Sequence, residues 1–350
     1  MKKRIALLLC AALLAGLLGC EKPAQKTIPH WRESSPAMAS IIAYVDAITD
    51  EKSADYLPPE RRIAVFDLDG TLFGERFPTY FDQDLLMYRL LHDPNCPAAP
   101  EDQAFAEALE YALLHGEPEP DSPRSTGQMA AESFKGFTVE EYRACVRRFM
   151  AQPAAGFEGM NYGQGFFQPM VSLVQYLTER GVRCFIVSGA ERSLLRELTA
   201  GTLDEWIPAW QILGSTFSLE ATGQGDTAGR SYTYTAEDRV LLEGNMSFKN
   251  LKMNKIVSIV DEIGVKPVLA FGNSSGDFAM GQYALENGGR AYMLLCDDVE
   301  RDYGDLEEAA EFAAQCRELG FETVSMHDEF ETIYGEDVVK TAFLALDPAA

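Results

Sequence analysis

The chain has 350 residues, 54 Asp and Glu against 30 Lys and Arg, and a formal net charge of −24. That length suffices for one large domain with an insertion, or for two domains. The acidity and the lack of any basic run argue against nucleic acid and other polyanions as partners, so a small phosphorylated ligand needs locally placed cations.

The first 20 residues read as a targeting segment. Lys2, Lys3 and Arg4 precede the apolar run Ile5–Leu18, which is shorter than the ~20 residues that span a bilayer, so a signal peptide fits better than a membrane helix. The run closes on Leu17-Leu18-Gly19-Cys20 before polar residues, the pattern of a bacterial lipoprotein processing site with Cys20 as the lipidation site. The expectation is an extracytoplasmic protein held at a membrane surface by lipid, in the periplasm or at the cell surface. Later cysteines are Cys96, Cys145, Cys184, Cys296 and Cys316, without a Cys-x-x-Cys pair. That argues against zinc or a dense disulfide framework; a Cys96–Cys145 bridge is the one pairing considered.

Residues 21–60 are expected to form a tether and an N-terminal helix, with Met38, Ile41, Ile42, Val45 and Ile48 at helical spacing. Ile63 to Phe66 is a short apolar strand that ends in Asp67-Leu-Asp69-Gly-Thr71. Two carboxylates this close repel unless a cation holds them or one is protonated, so the pair suits a hard divalent ion, and a nucleophile beside a general acid. From 77 to 165 the chain carries helical stretches (Leu85–Leu91, Phe105–Leu114, Val139–Met150) between Pro-rich loops, and reads as an all-helical insertion. Strand and helix patterns then alternate through Cys184–Ser188, a helix Glu191–Leu198, Gln211–Phe217, a hairpin within 218–248, a helix Met253–Ile263, Pro267–Phe271, a helix Phe278–Leu285 and Ala291–Leu295. This implies an α/β fold, a Rossmann-like parallel sheet covered by helices, in segments 61–76 and 166–345.

Three further segments bring phosphate-type groups to strand ends or helix starts. Ser188-Gly189 sets a hydroxyl before a helix, a natural phosphate cradle. Lys255 lies in a first helical turn, with Lys249 and Lys252 as competitors for the same charge-neutralising part. Gly272-Asn273-Ser-Ser-Gly276-Asp277 offers an amide oxygen and a carboxylate to one cation. Taken singly, each also reads as ordinary turn, surface or capping chemistry.

In this order the four segments resemble the motifs of the haloacid dehalogenase superfamily, in its phosphatase branch. The insertion resembles the C1 cap of phosphoserine phosphatase-like members. Further stretches (Ile28–Trp31, Pro58–Phe66, Phe167–Met170, Ala270–Gly276, Val324–Ile333) are similar to an exported bacterial group of such hydrolases. The resemblance implies a Mg²⁺-dependent phosphomonoesterase acting on a small phosphorylated metabolite, with no obligate protein partner. It makes Asp67 the nucleophile that forms an aspartyl-phosphate, and Asp69 the acid and then the base. Dehalogenases generally lack that second aspartate, so Asp69 favours a phosphatase. Phosphoryl oxygens fall to Thr71, Ser188, Gly189 and Lys255, and Mg²⁺ to Asp67, Asp69, Asn273 and Asp277. Many relatives have Asp where this chain has Asn273, which leaves two outcomes open: weaker metal binding, or a larger share for Asp277. Glu75 and Arg76 lie where related enzymes contact the organic part of the substrate. Tyr80, Phe81 and Tyr88 form either an aromatic wall for a quaternary ammonium group or core of the cap. The competing readings are a lipoprotein that uses this fold only to bind, and a phosphotransferase to an alcohol acceptor.

Overall fold

A computed structural model describes residues 27–75, 79–94 and 98–342. The targeting segment with Cys20, Arg76 and Cys96 lie outside the described residues. Seven strands form one sheet in the order β5-β4-β3-β1-β6-β7-β8. In chain order these are β1 (Ile63–Phe66), β3 (Arg183–Glu191), β4 (Ile212–Ala221), β5 (Val240–Phe248), β6 (Leu269–Gly272), β7 (Arg290–Leu295) and β8 (Glu322–Ser325). All neighbours are parallel except β4 and β5, which form an antiparallel hairpin at one edge. A two-residue strand, β2 (Phe157–Glu158), pairs separately with β9 (Val339–Lys340).

The sheet follows from burial on both faces. β1 and β6 are buried at every position, as central parallel strands are. Alternation sends Ala64 and Phe66 into one apolar cluster and Ile63 and Val65 into the other. β1 is flanked by β3 and β6, and the chain leaves it towards opposite edges for the earlier and the later strands. Such a reversal opens a crevice at the carboxyl ends of the strands, where ligands of open α/β sheets bind.

Helix Pro36–Thr49, capped by Ser35, buries Met38, Ile41, Val45 and Ile48. The preceding stretch, expected as a tether, is packed from Ile28 onward: the Trp31 ring meets Phe330 edge-on at 4.9 Å, and its Nε1 donates to the Pro169 carbonyl at 2.8 Å.

Between β1 and helix Gln168–Glu179 come helices Phe81–Met87, Pro100–His115, Thr126–Ser133 and Val139–Met150. This segment is not helical throughout, because β2 lies within it. It is fastened to the sheet by backbone: Gly136 N–H donates to the Leu242 carbonyl and Leu242 N–H to Phe137, both at 2.8 Å. The Glu197 carboxylate also accepts from Arg143 Nε (2.7 Å) and Arg147 Nη1 (2.9 Å) of helix Val139–Met150. Cys145, on that helix, is free and buried, its thiol donating to the Asp93 carboxylate at 3.4 Å. No helix of the described residues is long and apolar enough to cross a membrane.

Asp302, in a pocket it shares with Glu75, Tyr80 and Asn273, is buried and accepts from Tyr303 N–H (2.9 Å) and Tyr334 Oη (3.0 Å). Burial pushes its carboxyl up to about 7, against the two donors. Unfolded, the same carboxyl titrates near ~3.9. Between these values the folded state keeps a proton that the unfolded chain has released, so this group's stabilisation is lost as pH rises towards 7. Asp302→Asn is therefore expected to stabilise the protein by about 1–2 kcal/mol at pH 8 and to give no gain at pH 4. Thermal unfolding at the two pH values checks this; an equal shift at both would reject it.

Candidate active site

The crevice at the end of β1 collects Asp67, Asp69, Glu75, Gly189, Lys255, Asn273 and Asp277, whereas Thr71 and Ser188 are fully buried and do not line it. Asp67 follows the last residue of β1, and its N–H donates to the Phe271 carbonyl at 2.9 Å, which sets it beside the end of β6. Behind it, Lys255 is only 1 % exposed, and its Nζ lies 2.8 Å from Asp67 Oδ1 and 2.6 Å from Asp277 Oδ1. An ammonium so placed is held charged: burial opposes it, but Asp277 and Asp67 keep its pKa above the ordinary lysine value. Burial decides among the three candidate lysines, since Lys249 and Lys252 are exposed.

Asp277 does more than meet the lysine. Its Oδ2 accepts from Asn273 N–H (3.1 Å), Ser274 N–H (3.1 Å) and Ser274 Oγ (3.3 Å). Both oxygens are thus committed, and Asn273 is left as the loop's side chain next to the Asp69 turn. Thr71 Oγ1, fully buried, donates to Asn273 Oδ1 at 3.2 Å. Gly70 is required there: its φ is +71°, and a Cβ would sit 2.0 Å from Asn273 Nδ2.

The second motif departs from expectation. β3 runs on through Ser188 to Glu191, with a register shift against β4 between Val187 and Glu191. The helix starts only at Arg192, and its first amides, Ser193 (2.8 Å) and Leu194 (2.9 Å), donate to the Glu191 carboxylate. Its N-terminus is therefore filled by the chain's own carboxylate and does not face Ser188. Within the motif Ser188 Oγ accepts from Ala190 N–H at 3.1 Å, and it is Gly189 and Ala190 that face the cavity.

Asp67, Asp69, Glu75, Asp82, Gly189, Lys249, Lys255, Asn273 and Asp277 share the lining of one cavity of about 260 Å³. Its negative charge is only partly answered. Burial, with Asp277 adding to it, pushes Asp67 up to about 7 despite Lys255. Asp69 is raised well above the usual carboxylate range by burial first, then by Asp82, Asp67 and Glu75. Asp82 is raised by burial, with Lys249 working against it.

This pattern fits a divalent cation, which would relieve the excess charge. Among the described residues no group of three or more His, Cys, Asp or Glu converges as a complete metal cage. The oxygen donors available are the carboxylate of Asp67, the backbone carbonyl of Asp69 and the amide of Asn273, a small hard set of the kind that suits Mg²⁺ with several waters retained; Asp277, expected as a further ligand, has both oxygens engaged by Lys255 and its own loop. Chemically, the arrangement pairs a carboxylate beside a fixed ammonium with a neighbouring carboxyl whose hold on its proton is strengthened by burial.

Glu75 lines the cavity and accepts from Tyr80 Oη at 2.8 Å. Of the three aromatic residues considered for a cation wall, only Tyr80 lines this cavity. Phe81 packs on Phe73 and Phe149, and Tyr88 on Phe149. Asp82 and Thr126, which the sequence reading does not reach, also line the cavity, as does Lys249, the rival of Lys255. Asp82 gave one faint signal, an acid in the first turn of the helix that follows the first motif. Lys252 has φ +55° and ψ −121°, a rare backbone for a side-chain-bearing residue that costs roughly 1–3 kcal/mol.

Residues 64–282 match the family model described as haloacid dehalogenase-like hydrolase. The chain belongs to that family. Among solved structures, this hydrolase is similar to a conserved protein of unknown function from Anaerococcus prevotii, at 14 % identity and a TM-score of 0.52, over 87 % of this chain and 96 % of that one. That likeness is one of fold. Weaker matches include a probable phosphoserine phosphatase from Vibrio cholerae (12 % identity, TM-score 0.37, 71 % of this chain and 58 % of that one). A phosphoserine phosphohydrolase-like protein from Francisella tularensis matches at 15 % identity and a TM-score of 0.35, over 67 % and 87 % of the two chains. No curated protein matches the chain.

Proposed function

We propose that this haloacid dehalogenase-like hydrolase is a Mg²⁺-dependent phosphomonoesterase that works through an aspartyl-phosphate. The observation that carries the reading is Lys255, buried and bonded to both Asp67 and Asp277. It fixes one carboxylate at the mouth of the crevice while leaving Asp69 free to carry a proton. In this reading an Asp67 oxygen attacks phosphorus, the bond from phosphorus to the ester oxygen breaks, and Asp69 gives its proton to that oxygen. Asp69 then takes a proton from the water that hydrolyses the acyl phosphate, and Asp67 is regenerated. Thr71, the 188–190 end of β3 and Lys255 would meet the phosphoryl oxygens. Asp67, the Asp69 backbone carbonyl and Asn273 would hold the cation, which supplies charge neutralisation at the phosphoryl group.

The helical segment 77–165 acts in this proposal as a C1 cap that closes over a small substrate and excludes water. The cavity's size favours a small phosphorylated metabolite. Ile5–Leu18 and Cys20 support export and a lipid anchor outside the cytoplasm, with the fold carried on the membrane surface.

The test is hydrolysis of an aryl phosphate by the full chain in mild detergent, with Mg²⁺ and with EDTA. Turnover is expected with Mg²⁺, with loss of at least about 100-fold in EDTA and recovery when Mg²⁺ is restored. An added alcohol acceptor should leave inorganic phosphate as the main product; a phosphorylated alcohol would instead mark a phosphotransferase. If neither the aryl phosphate nor phosphoserine, phosphocholine and sugar phosphates are turned over, the reading fails and a binding role takes its place.

A further inference from the structure

Three buried polar residues outside the proposed chemistry join the two arms of the anion site. Asn250, fully buried, lies in the loop between β5 and helix Met253–Ser258. Its backbone N–H donates to Ser215 Oγ at 3.0 Å, and Ser215 Oγ donates to the Gly189 carbonyl at 2.6 Å. On its other side, Asn250 Oδ1 accepts from Ser258 Oγ at 2.9 Å, one helical turn beyond Lys255. Its Nδ2 points at the Leu213 carbonyl at 3.4 Å, which ties the same side chain to β4. Ser215 is fully buried and Ser258 nearly so.

We infer that Asn250 is a positioning residue that holds the Ser188–Gly189 end of β3 and the Lys255 helix in one register around the bound phosphoryl group. The inference rests on the phosphatase reading, because only an anion shared by the two arms makes their register matter. Asn250 reaches two separate elements: its side chain bonds the helix that carries Lys255, and its backbone N–H bonds the β4 hydroxyl of Ser215, which in turn donates to the Gly189 carbonyl. A buried network with every member paired is stiff, and preorganised donors bind developing charge without reorganising. The loop is fastened a second time by Asn254 Nδ2, which donates to the Lys249 carbonyl at 2.8 Å, while Lys249 Nζ donates to the Gly189 carbonyl at 2.9 Å. The unusual backbone at Lys252 lies between these fixed points.

The experiment measures binding of inorganic phosphate by calorimetry, with Mg²⁺ present, on the full chain and on Asn250→Ala, Ser258→Ala and the double variant. Roughly tenfold weaker binding is expected for each single variant, and no further loss in the double, because both cut the same link. Ser258→Thr, which keeps the hydroxyl, should bind within about twofold of the unsubstituted protein. Folded variants with lowered melting temperature and unchanged phosphate affinity would overturn the inference and leave Asn250 a structural residue. If Asn250→Ala does not fold, Ser258→Ala decides alone, since it removes a single oxygen. An unsubstituted protein that neither binds phosphate nor hydrolyses any phosphomonoester would instead bring down the phosphatase reading, and this inference with it.

Discussion

Asp67→Asn is expected to lower kcat for aryl phosphate hydrolysis by at least about 10³-fold while leaving the protein folded. The amide keeps the shape of the side chain and an oxygen to meet Lys255 Nζ, now at 2.8 Å from Oδ1. What it loses is the anionic oxygen that attacks phosphorus. Stability should change little, or rise slightly near neutral pH, because burial and Asp277 already push the Asp67 carboxyl up to about 7. Removing a group that is costly to ionise in the fold offsets the lost attraction to Lys255. Steady-state kinetics and thermal unfolding on one preparation check both parts. Turnover within tenfold of the unsubstituted protein, after exclusion of deamidation back to Asp by mass spectrometry, would remove Asp67 from the nucleophile's place.

The elements that could be read from sequence are those whose pattern one physical force dominates. β1 and β6 are buried on both faces and appear as unbroken apolar runs. Helix Val139–Met150 has an acid-to-base gradient, an apolar stripe and a Thr138–Glu141 capping box, and its bounds match the sequence reading residue for residue. Helix Thr126–Ser133 was missed because a short polar stretch buries only Met129 and Ala131. Helix Leu306–Leu319 was missed for a similar reason, since Ala309 and Cys316 alone are buried and charge obscures the stripe. The length of β3 escaped notice because Ser-Gly normally breaks a strand, whereas here the chain continues with a register shift.

The site divides in the same manner. That Asp67, Asp69, Asn273 and Asp277 share one cavity is legible because their carboxylates and amide follow directly on the apolar strands β1 and β6, whose ends lie side by side. The choice among Lys249, Lys252 and Lys255 was not legible from spacing, because it depends on which ammonium is withdrawn from water. Nor could sequence show that Asp277 spends both oxygens on Lys255 and its own loop. Asn250, Ser215 and Ser258 were invisible for a deeper reason: they lie 35 and 8 residues apart in the chain and meet only through tertiary packing.

Lys255→Met should carry the largest cost of any single change at the site. Methionine fills much of the same volume, but Asp67 and Asp277 then face one another with no cation between them. Asp277 is fully buried, its carboxylate held by Lys255 and its own loop at the floor of the cavity. Removing one partner of a buried ion pair typically costs about 3–5 kcal/mol, because the remaining charge stays desolvated. The sign of the pH dependence follows. Without the ammonium the folded carboxyls hold protons more tightly than the unfolded chain does, so the deficit grows as pH rises above the ordinary carboxylate range and shrinks towards pH 5. Urea unfolding at pH 5 and pH 8 is therefore expected to show the larger loss at pH 8. Adding Asp277→Asn to Lys255→Met should return part of that stability, since it removes one of the two unpaired charges, yet phosphate hydrolysis should stay abolished. A lone Lys255→Met protein as stable as the parent at pH 8 would mean that water or a bound cation already screens the two carboxylates. In that event the lysine's part would be confined to the phosphoryl group, and the doubly bridged ammonium would not be what holds the two motifs together.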